Sequence, residues 1–253
     1  MRFRNKVALI AGGSAGIGLA TAEALACQGA SVVVVGRSER NAAAAARRIS
    51  EAGGRAVGIG CDACNPSDAE RAVAATVEEF GAIDILVNAV GGSTVVDRPA
   101  ATVEELSFSD WQKLIAHNLD ATFLFCHEAV PHMKQRKTGK IVNVSSTASR
   151  GLAPSGAAYA AAKGGIESFT RRLAREVAPY AICVNAVAPG ITMTQRMADV
   201  WARRSDSEKR AAMAAVPLGR PGTPAEQAGA ICFLASTDAD YVTGVTLEVT
   251  GGL

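Results

Sequence analysis

The stretch Val7-Ala-Leu-Ile-Ala11-Gly12-Gly-Ser-Ala-Gly16-Ile-Gly18 decides the fold of this chain. Its first five residues form a short continuous apolar run, as expected of a strand buried on both faces of a parallel sheet. The glycines that follow let a backbone turn sharply and approach a diphosphate, and free N–H groups at the start of the next helix attract that group. We therefore predict a dinucleotide-binding loop, with cofactor contacts from Gly12, Ser14, Gly16, Ile17 and Gly18.

Strand-like and helix-like segments alternate along the rest of the chain, which predicts an α/β fold with a parallel sheet. Further strands are predicted at Ser31–Gly36, Ala56–Gly60, Ile83–Val87, Ile141–Val144, Ala181–Ala188 and Val245–Val249. Helices are predicted at Leu19–Gln28, Asn41–Ala52, Pro66–Phe80, Asp110–Val130, Pro154–Val177 and Thr223–Ala235, with one or two more helices over the active site in Gln195–Val216. Residues 93–107 look irregular. No repeat or linker interrupts the pattern, so we expect one domain over residues 1–253.

The composition, 49% hydrophobic and 20% charged with a net charge of +2, is that of a globular protein. Nucleic acid and anionic membrane are excluded as main partners because polybasic runs are absent. The basic residues before Val7 are followed by too short an apolar run for export, and no stretch could span a bilayer. The six scattered cysteines indicate reduced thiols and a cytoplasmic location. Cys61-Asp-Ala-Cys64 has the spacing of half a zinc site, but no second pair follows, so no metal is expected.

The second strand ends in Gly36-Arg37-Ser38, where a dinucleotide fold meets the adenosine ribose. An acidic residue at this tip would accept from a 2′-hydroxyl, whereas a basic residue would bind a 2′-phosphate. Arg37 therefore favours NADP(H), the alternative being that it only solvates a loop. The reversal of strand order in such a sheet opens a crevice, so the first and fourth strands should flank the ligand.

Tyr159 and Lys163 lie four residues apart on a predicted helix and so share one of its faces. An unperturbed tyrosine has a pKa of about 10, and a fixed cation nearby would lower that pKa toward neutrality. The strand at Ile141–Val144 runs into Ser145-Ser146, which suggests that a hydroxyl is delivered to the same place. Alone, the Tyr–Lys pair could equally be a surface pair without consequence.

Taken in order, these residues resemble the short-chain dehydrogenase/reductase family over nearly the whole chain. The resemblance is carried by the glycine string, Asp62, Asn88-Ala-Val-Gly91, Asn118, Ser146, Tyr159-x-x-x-Lys163, Asn185, Pro189-Gly190 and Tyr241-Val-Thr-Gly244. It implies a Rossmann-like, doubly wound, seven-stranded parallel sheet with helices on both faces.

The resemblance also implies a role for each matching residue. Tyr159 would be the acid or base, Lys163 would lower its pKa and hold the nicotinamide ribose, and Ser146 would bind the substrate oxygen. Asn118 would hold a water that links Lys163 to solvent. The remaining cofactor contacts would come from Asp62 at the adenine, from Asn88 and Gly91, and from Pro189, Gly190, Thr192 and Thr194.

Two departures from the family pattern bear on the cofactor. The usual Asn-Asn-Ala-Gly turn is Asn88-Ala89-Val90-Gly91, and the basic residue that many NADP-using relatives carry in the glycine loop is Ala15. Arg37 is thus the main phosphate candidate, and NAD(H) stays possible.

We expect an NADP(H)-preferring oxidoreductase of ketones and secondary alcohols, similar to 3-oxoacyl-carrier-protein reductases and expected to form a homotetramer. The alternatives are an NAD-dependent diol, dihydrodiol or sugar dehydrogenase, and a nucleotide-binding regulator without catalysis. A Val-Gly-Gly turn like Val90–Gly92 also occurs among diol dehydrogenases.

Overall fold

A computed structural model describes residues 1–152 and 155–253, and its described residues form one seven-stranded, entirely parallel sheet. The strand order is β3-β2-β1-β4-β5-β6-β7. The strands are β1 (Val7–Ala11), β2 (Ser31–Gly36), β3 (Arg55–Gly60), β4 (Ile85–Asn88), β5 (Gly139–Val144), β6 (Ile182–Pro189) and β7 (Thr246–Val249). This is the predicted Rossmann-like sheet, and the bounds of β1 and β2 agree with the prediction to the residue.

The helices cover both faces of this sheet. They are α1 (Gly16–Cys27), α2 (Glu39–Glu51), α3 (Pro66–Phe80), α4 (Phe108–Ile115), α5 (Ala121–Arg136), α6 (Ala157–Val177), α7 (Gln195–Ala202), α8 (Asp206–Ala214) and α9 (Pro224–Leu234). Within β1, Ala8 and Ile10 belong to the core that contains α1, α2 and α9, while Leu9 and Ala11 belong to the core that contains α3, α5 and α6. Because alternate side chains of a strand point to opposite faces, the continuous apolar run signals two cores.

The predicted helix Asp110–Val130 is wrong in two respects. Residues Ala116–Asp120 form a π-helical turn that separates α4 from α5, and α5 continues through Pro131 to Arg136. A proline usually disrupts a helix interior, but here the buried Val130 and Met133 are packed in the core on either side of it. Tertiary packing therefore extends the helix beyond the point where the local sequence would end it.

Helix α6 begins at Ala157, and Pro154, where the sequence predicted its start, lies outside the described residues. The segment Gln195–Val216 contains two helices, α7 and α8, where the sequence predicted one or two. All six cysteines are free thiols. Over residues 1–152 and 155–253, no helix is long and apolar enough to cross a membrane, and no cluster of three or more His, Cys, Asp or Glu could hold a metal ion.

Candidate active site

The candidate site lies where the strand order reverses, at the carboxyl ends of β1 and β4. These two strands are paired in register, with Ala11 opposite Asn88. The loops after them come very close, since a Cβ built at Gly12 would lie 2.7 Å from the backbone nitrogen of Val90. Such an approach of two backbones tolerates only glycine at this point, and it creates the crevice in which ligands of doubly wound sheets bind.

The N-terminus of α1 opens into this crevice without a side-chain cap. Its N-cap residue is Ala15, which makes no capping hydrogen bond, whereas α3 is capped by Asn65 and α7 by Thr194. The first N–H groups of a helix need acceptors, and together with the helix dipole they attract anions. Uncapped donors beside glycines therefore fit the diphosphate of a dinucleotide cofactor.

The remaining residues of the glycine loop sit around this opening. Ser14 packs against the end of β2, because a Cβ built at Gly36 would lie 2.8 Å from the Cβ of Ser14. Ile17 packs partly against the core. The buried Gly18 lies close against the backbone of Gly12, so the start of α1 packs tightly against the glycine loop.

The loop after β6 approaches the glycine loop from the other side. A Cβ built at Gly16 would lie 3.2 Å from the Cγ2 atom of Thr194, whose hydroxyl accepts from the backbone N–H of Met197 at the start of α7. Thr192 is buried and donates to the carbonyl oxygen of Gly190, with Pro189 ending β6 just before it. These predicted cofactor residues thus border the crevice together.

Arg37 and Asp62 lie at the exposed end of the crevice, after β2 and β3. The Asp62 carboxylate accepts from the backbone N–H of Cys64 at 3.1 Å, which fixes the turn after β3. The positive charge of Arg37 lowers the pKa of both Cys64 and His117, against the larger raising effect of burial at Cys64. Arg37 therefore adds positive charge to this end of the crevice.

Asn88 is buried, and its side chain points away from the crevice. Its Nδ2 donates to Asn143 Oδ1 at 2.9 Å, and Asn143 in turn donates to the hydroxyl of Thr170. This chain of buried hydrogen bonds ties β4 to β5 and to α6. Only the backbone that follows Asn88 can reach the cofactor, whereas its amide fixes the relative position of three elements.

The π-helical turn brings Asn118 against the glycine turn after β4. Its Oδ1 accepts from the N–H of Gly92 at 3.0 Å, and its Nδ2 donates to Gly92 O and Leu114 O. Gly91 and Gly92 have φ angles of 148° and 140°, which only glycine adopts easily. The side-chain amide of Asn118 thus clamps this turn through both of its polar atoms, and the water expected there stays a prediction.

Lys163 lies on α6 beneath the same turn. Its Nζ donates to Val144 O at 2.8 Å, and a Cβ built at Gly91 would lie 2.9 Å from it. The side chain is buried, which lowers the pKa of Lys163 to about 7, with a smaller contribution from the charge of Arg196. Burial disfavours the charged ammonium because the group loses its hydration.

Tyr159 and Ser146 complete the site. Burial raises the pKa of Tyr159, while the neighbouring Ser146 hydroxyl and the charge of Arg196 lower it. Lys163 Nζ lies 5.7 Å from the Tyr159 ring centroid, and burial of the phenol is the main cause of its raised pKa. The lowering of this pKa by Lys163 stays a prediction.

The sequence analysis missed the buried Glu167. Its Oε1 accepts from the hydroxyls of Ser145 at 2.9 Å and Ser149 at 2.6 Å, and Ser145 is also bonded to Lys163 O. The carboxylate therefore fixes the segment that carries Ser146 to the helix that carries Lys163. The four-residue spacing from Lys163 to Glu167 could have revealed it, because such residues share a helix face.

His117 and Arg196 were missed as well. Burial and the charges of Lys163, Arg196 and Arg37 lower the pKa of His117, which lies on the π-helical turn next to Asn118. Arg196 extends from α7, and its Nη1 donates to Gly91 O at 3.1 Å. No short motif marks either residue, since both reach the site through the arrangement of distant elements.

Comparisons with known proteins agree with this geometry. A model of the family described as "Enoyl-(Acyl carrier protein) reductase" matches residues 11–253. The chain is 41% identical over 253 residues to the "Short-chain reductase protein NovJ" of Streptomyces niveus, covering 98% of this chain and 94% of that protein. It is 38% identical to the "3-oxoacyl-[acyl-carrier-protein] reductase FabG" of Vibrio cholerae, covering 100% of this chain and 99% of the relative.

Two further comparisons complete the set. The "Cyclohexanol dehydrogenase" of Rhodococcus sp. is 38% identical, covering 99% of this chain and 97% of that protein. A solved structure titled "Crystal structure of gox2181" superposes with a TM-score of 0.93 at 32% identity, covering 99% of this chain and 96% of its own. Together with the crevice, these matches show that the chain belongs to the short-chain dehydrogenase/reductase family and is an NAD(P)-dependent oxidoreductase that acts on CH–OH groups.

Proposed function

We propose that this protein is an NADP(H)-preferring reductase that interconverts a ketone and a secondary alcohol, with Tyr159 as its acid or base. The observation that carries the proposal is the grouping of Tyr159, the neighbouring Ser146 hydroxyl and the buried Lys163 at the end of a crevice with uncapped helix donors. Hydride transfer to a carbonyl leaves negative charge on the oxygen, and two hydroxyl donors can stabilise it without a metal.

The protonation states of Tyr159 and Lys163 suit the reduction of a ketone. A bound nicotinamide cofactor supplies the hydride. Tyr159 is held as the neutral phenol by its raised pKa, and a neutral phenol is the form that can donate a proton to the developing alkoxide. Ser146, whose hydroxyl neighbours the phenol, positions the substrate oxygen. Lys163, with its pKa near 7, can take up or release a proton at neutral pH.

For the cofactor, Arg37 is the residue proposed to bind the 2′-phosphate, with Asp62 at the adenine. The support is its position after β2 and its charge, which acts on Cys64 and His117 within the crevice. A guanidinium binds phosphate oxygens in a fork, which an ammonium or a neutral side chain cannot reproduce.

For the substrate, the first candidate is a 3-oxoacyl thioester, supported by the relatives of that name. The second is a cyclic alcohol or ketone, supported by the relative named "Cyclohexanol dehydrogenase". The regulator alternative is disfavoured because a protein that only bound nucleotide would not need Ser146, Tyr159 and Lys163 in contact.

The test is a turnover screen over acyl thioesters, sugars and cyclic ketones with NADPH and NADH, alongside a fluorescence titration of NADPH. We expect NADPH binding and turnover of at least one ketone class, with NADPH preferred. Tight NADPH binding without turnover of any ketone would favour the regulator instead.

We also propose one domain over residues 1–253, a cytoplasmic location and a homotetramer in which α5 and α6 pack against copies of themselves. Phe123 on α5 supports this assembly, because 47% of it is exposed while its ring packs edge-on against Phe169 of α6 at 6.2 Å. Apolar rings left on the surface of paired helices suit an interface. Equilibrium sedimentation should give four times 25.9 kDa, and a mass near one chain would refute the assembly.

A further inference from the structure

Arg196 reaches across the site from the first turn of α7. Its Nη1 donates to Gly91 O at 3.1 Å, and a Cβ built at Gly92 would lie 2.8 Å from its Cζ and 2.9 Å from its Nη2. The guanidinium therefore lies flat against the glycine turn after β4. Lys163 approaches the same Gly91 from below. Both side chains thus lie against the turn of Gly91 and Gly92, and Arg196 stands at the end of the crevice that holds Lys163.

The guanidinium is only partly satisfied by the protein. Arginine has five N–H donors, and the one hydrogen bond found for Arg196 within the described residues is the bond to Gly91 O. It forms no ion pair in residues 1–152 and 155–253, whereas Arg220, also between β6 and α9, is paired with Glu226. An exposed arginine held by one neutral carbonyl has donors left for an anion that enters the site.

The electrostatic surroundings are those of an anion site. The positive charge of Arg196 lowers the pKa of Tyr159 and Lys163 on α6 and of His117 on the π-helical turn. The acidic residue nearest to Arg196 on α7 is Asp199, whose carboxylate accepts from Gln195 at 3.3 Å. Arg37 and Asp62, at the other end of the crevice, act on His117 as well. No carboxylate contributes to the shift of Tyr159 or Lys163, so positive charge dominates this end of the crevice.

We propose that Arg196 determines substrate specificity by binding an anionic oxygen group, such as a carboxylate, on the ketone that is reduced. The inference rests on the proposed reductase function and adds the substrate class to it. The cofactor's diphosphate is the other source of such oxygens. The uncapped N-terminus of α1 and the glycine loop already provide donors for that diphosphate. Arg196, in contrast, lies beside Lys163 at the reacting end of the crevice.

The experiment compares three keto acids with their methyl esters: pyruvate, acetoacetate and levulinate. These pairs differ in charge and place the carboxylate at increasing distance from the ketone. The measured quantity is the ratio of kcat/KM for acid over ester in wild type, Arg196→Met and Arg196→Lys. Arg203→Met is the matched control, because Arg203 is an exposed arginine at the other end of α7. NADPH affinity is measured by fluorescence titration without substrate.

We expect wild type to prefer the acid of at least one pair. Arg196→Met should lower that ratio by about 10- to 100-fold, the worth of a charge-assisted hydrogen bond. Arg196→Lys should retain part of the preference, and Arg203→Met should retain all of it, with unchanged NADPH affinity in every variant.

Two results would overturn the assignment while leaving the reductase function intact. The first is turnover of ketones with the same acid-to-ester ratio in wild type and Arg196→Met. The second is a tenfold loss of NADPH affinity in Arg196→Met with no change in that ratio, which would assign Arg196 to the diphosphate. Failure of wild type to turn over any ketone while binding NADPH would instead overturn the proposed function, and this inference with it.

Discussion

The two ends of the crevice differ in how deeply their side chains are buried. At the buried end, Lys163 and Asn118 are 2% and 0% exposed, and Lys163 Nζ and the Asn118 amide are held by hydrogen bonds to backbone groups. At the exposed end, Arg37 and Asp62 lie at the surface after β2 and β3. At the buried end, burial determines the pKa of the side chains. At the exposed end, direct side-chain contact would determine which cofactor, NADPH or NADH, is preferred. Substitutions should therefore alter the rate at one end and the choice of cofactor at the other.

The largest effect should come from Tyr159→Phe. This change deletes only the hydroxyl, and positioned acid–base catalysis contributes about 10²–10⁴-fold to the rate. We expect kcat to fall by that factor while NADPH affinity stays within about threefold. The control is Tyr180→Phe, since Tyr180 is an exposed tyrosine after α6. A variant that keeps more than about a tenth of the wild-type kcat would remove Tyr159 from the acid–base role.

Lys163→Met should lower the catalytic rate and at the same time raise the stability of the folded protein. Because the pKa of Lys163 falls from 10.5 to about 7 on folding, the unfolded chain binds more protons between those pH values, so stability rises as pH increases from about 7. At pH 7 and below, the folded protein carries the cost of the buried charge. We expect Lys163→Met to lose most activity, yet to raise the ligand-free free energy of unfolding at pH 7 by about 1–4 kcal/mol.

The measurement is chemical denaturation at pH 6 to 10 without cofactor. The difference between variant and wild type should shrink as pH rises, because the wild-type lysine becomes neutral. Lys113→Met is the control, since Lys113 is an exposed residue of α4 in an ion pair with Asp110. A pH-independent difference would mean that Lys163 is not neutralised by burial.

Arg37→Asp tests the exposed end. A guanidinium on a 2′-phosphate should give NADPH an advantage of about ten- to a hundredfold in kcat/KM. The aspartate repels that phosphate and can accept from a 2′-hydroxyl, so the preference should reverse. Arg40→Asp, which makes the same charge change in the first turn of α2, should leave the ratio nearly unchanged. A wild type that already prefers NADH would show that Arg37 is only a solvated loop residue.

The smallest effect should come from Ala15, between the two ends. Ala15→Asn and Ala15→Asp both supply the missing cap of α1 and should stabilise the ligand-free protein by about 0.5–2 kcal/mol. Only the aspartate places a negative charge beside the diphosphate, so it alone should weaken NADPH binding, by about three- to tenfold. Thermal unfolding and NADPH titration of both variants measure the two effects. Equal affinities for the two variants would argue that the diphosphate lies elsewhere.

The sequence by itself determined the fold and the central residues of the site. Two-sided burial of Val7–Ala11 and Ser31–Gly36 appears as unbroken apolar runs, and the capped helix Pro66–Phe80 carries its own start and stop signals. These are local properties of the chain, which a pattern can express. The spacing of Tyr159 and Lys163 is also a local property, because the geometry of a helix places residues four apart on one face.

Only the tertiary structure decided how those residues behave. The pKa directions of Tyr159 and Lys163 follow from burial by several elements, which raises the first pKa and lowers the second. The π-helical turn at Asn118 exists together with a glycine turn that lies 26 residues earlier in the chain, and Arg196 reaches Gly91 across 105 residues. Burial and long-range contacts depend on the whole packed arrangement, so no local pattern could have specified them.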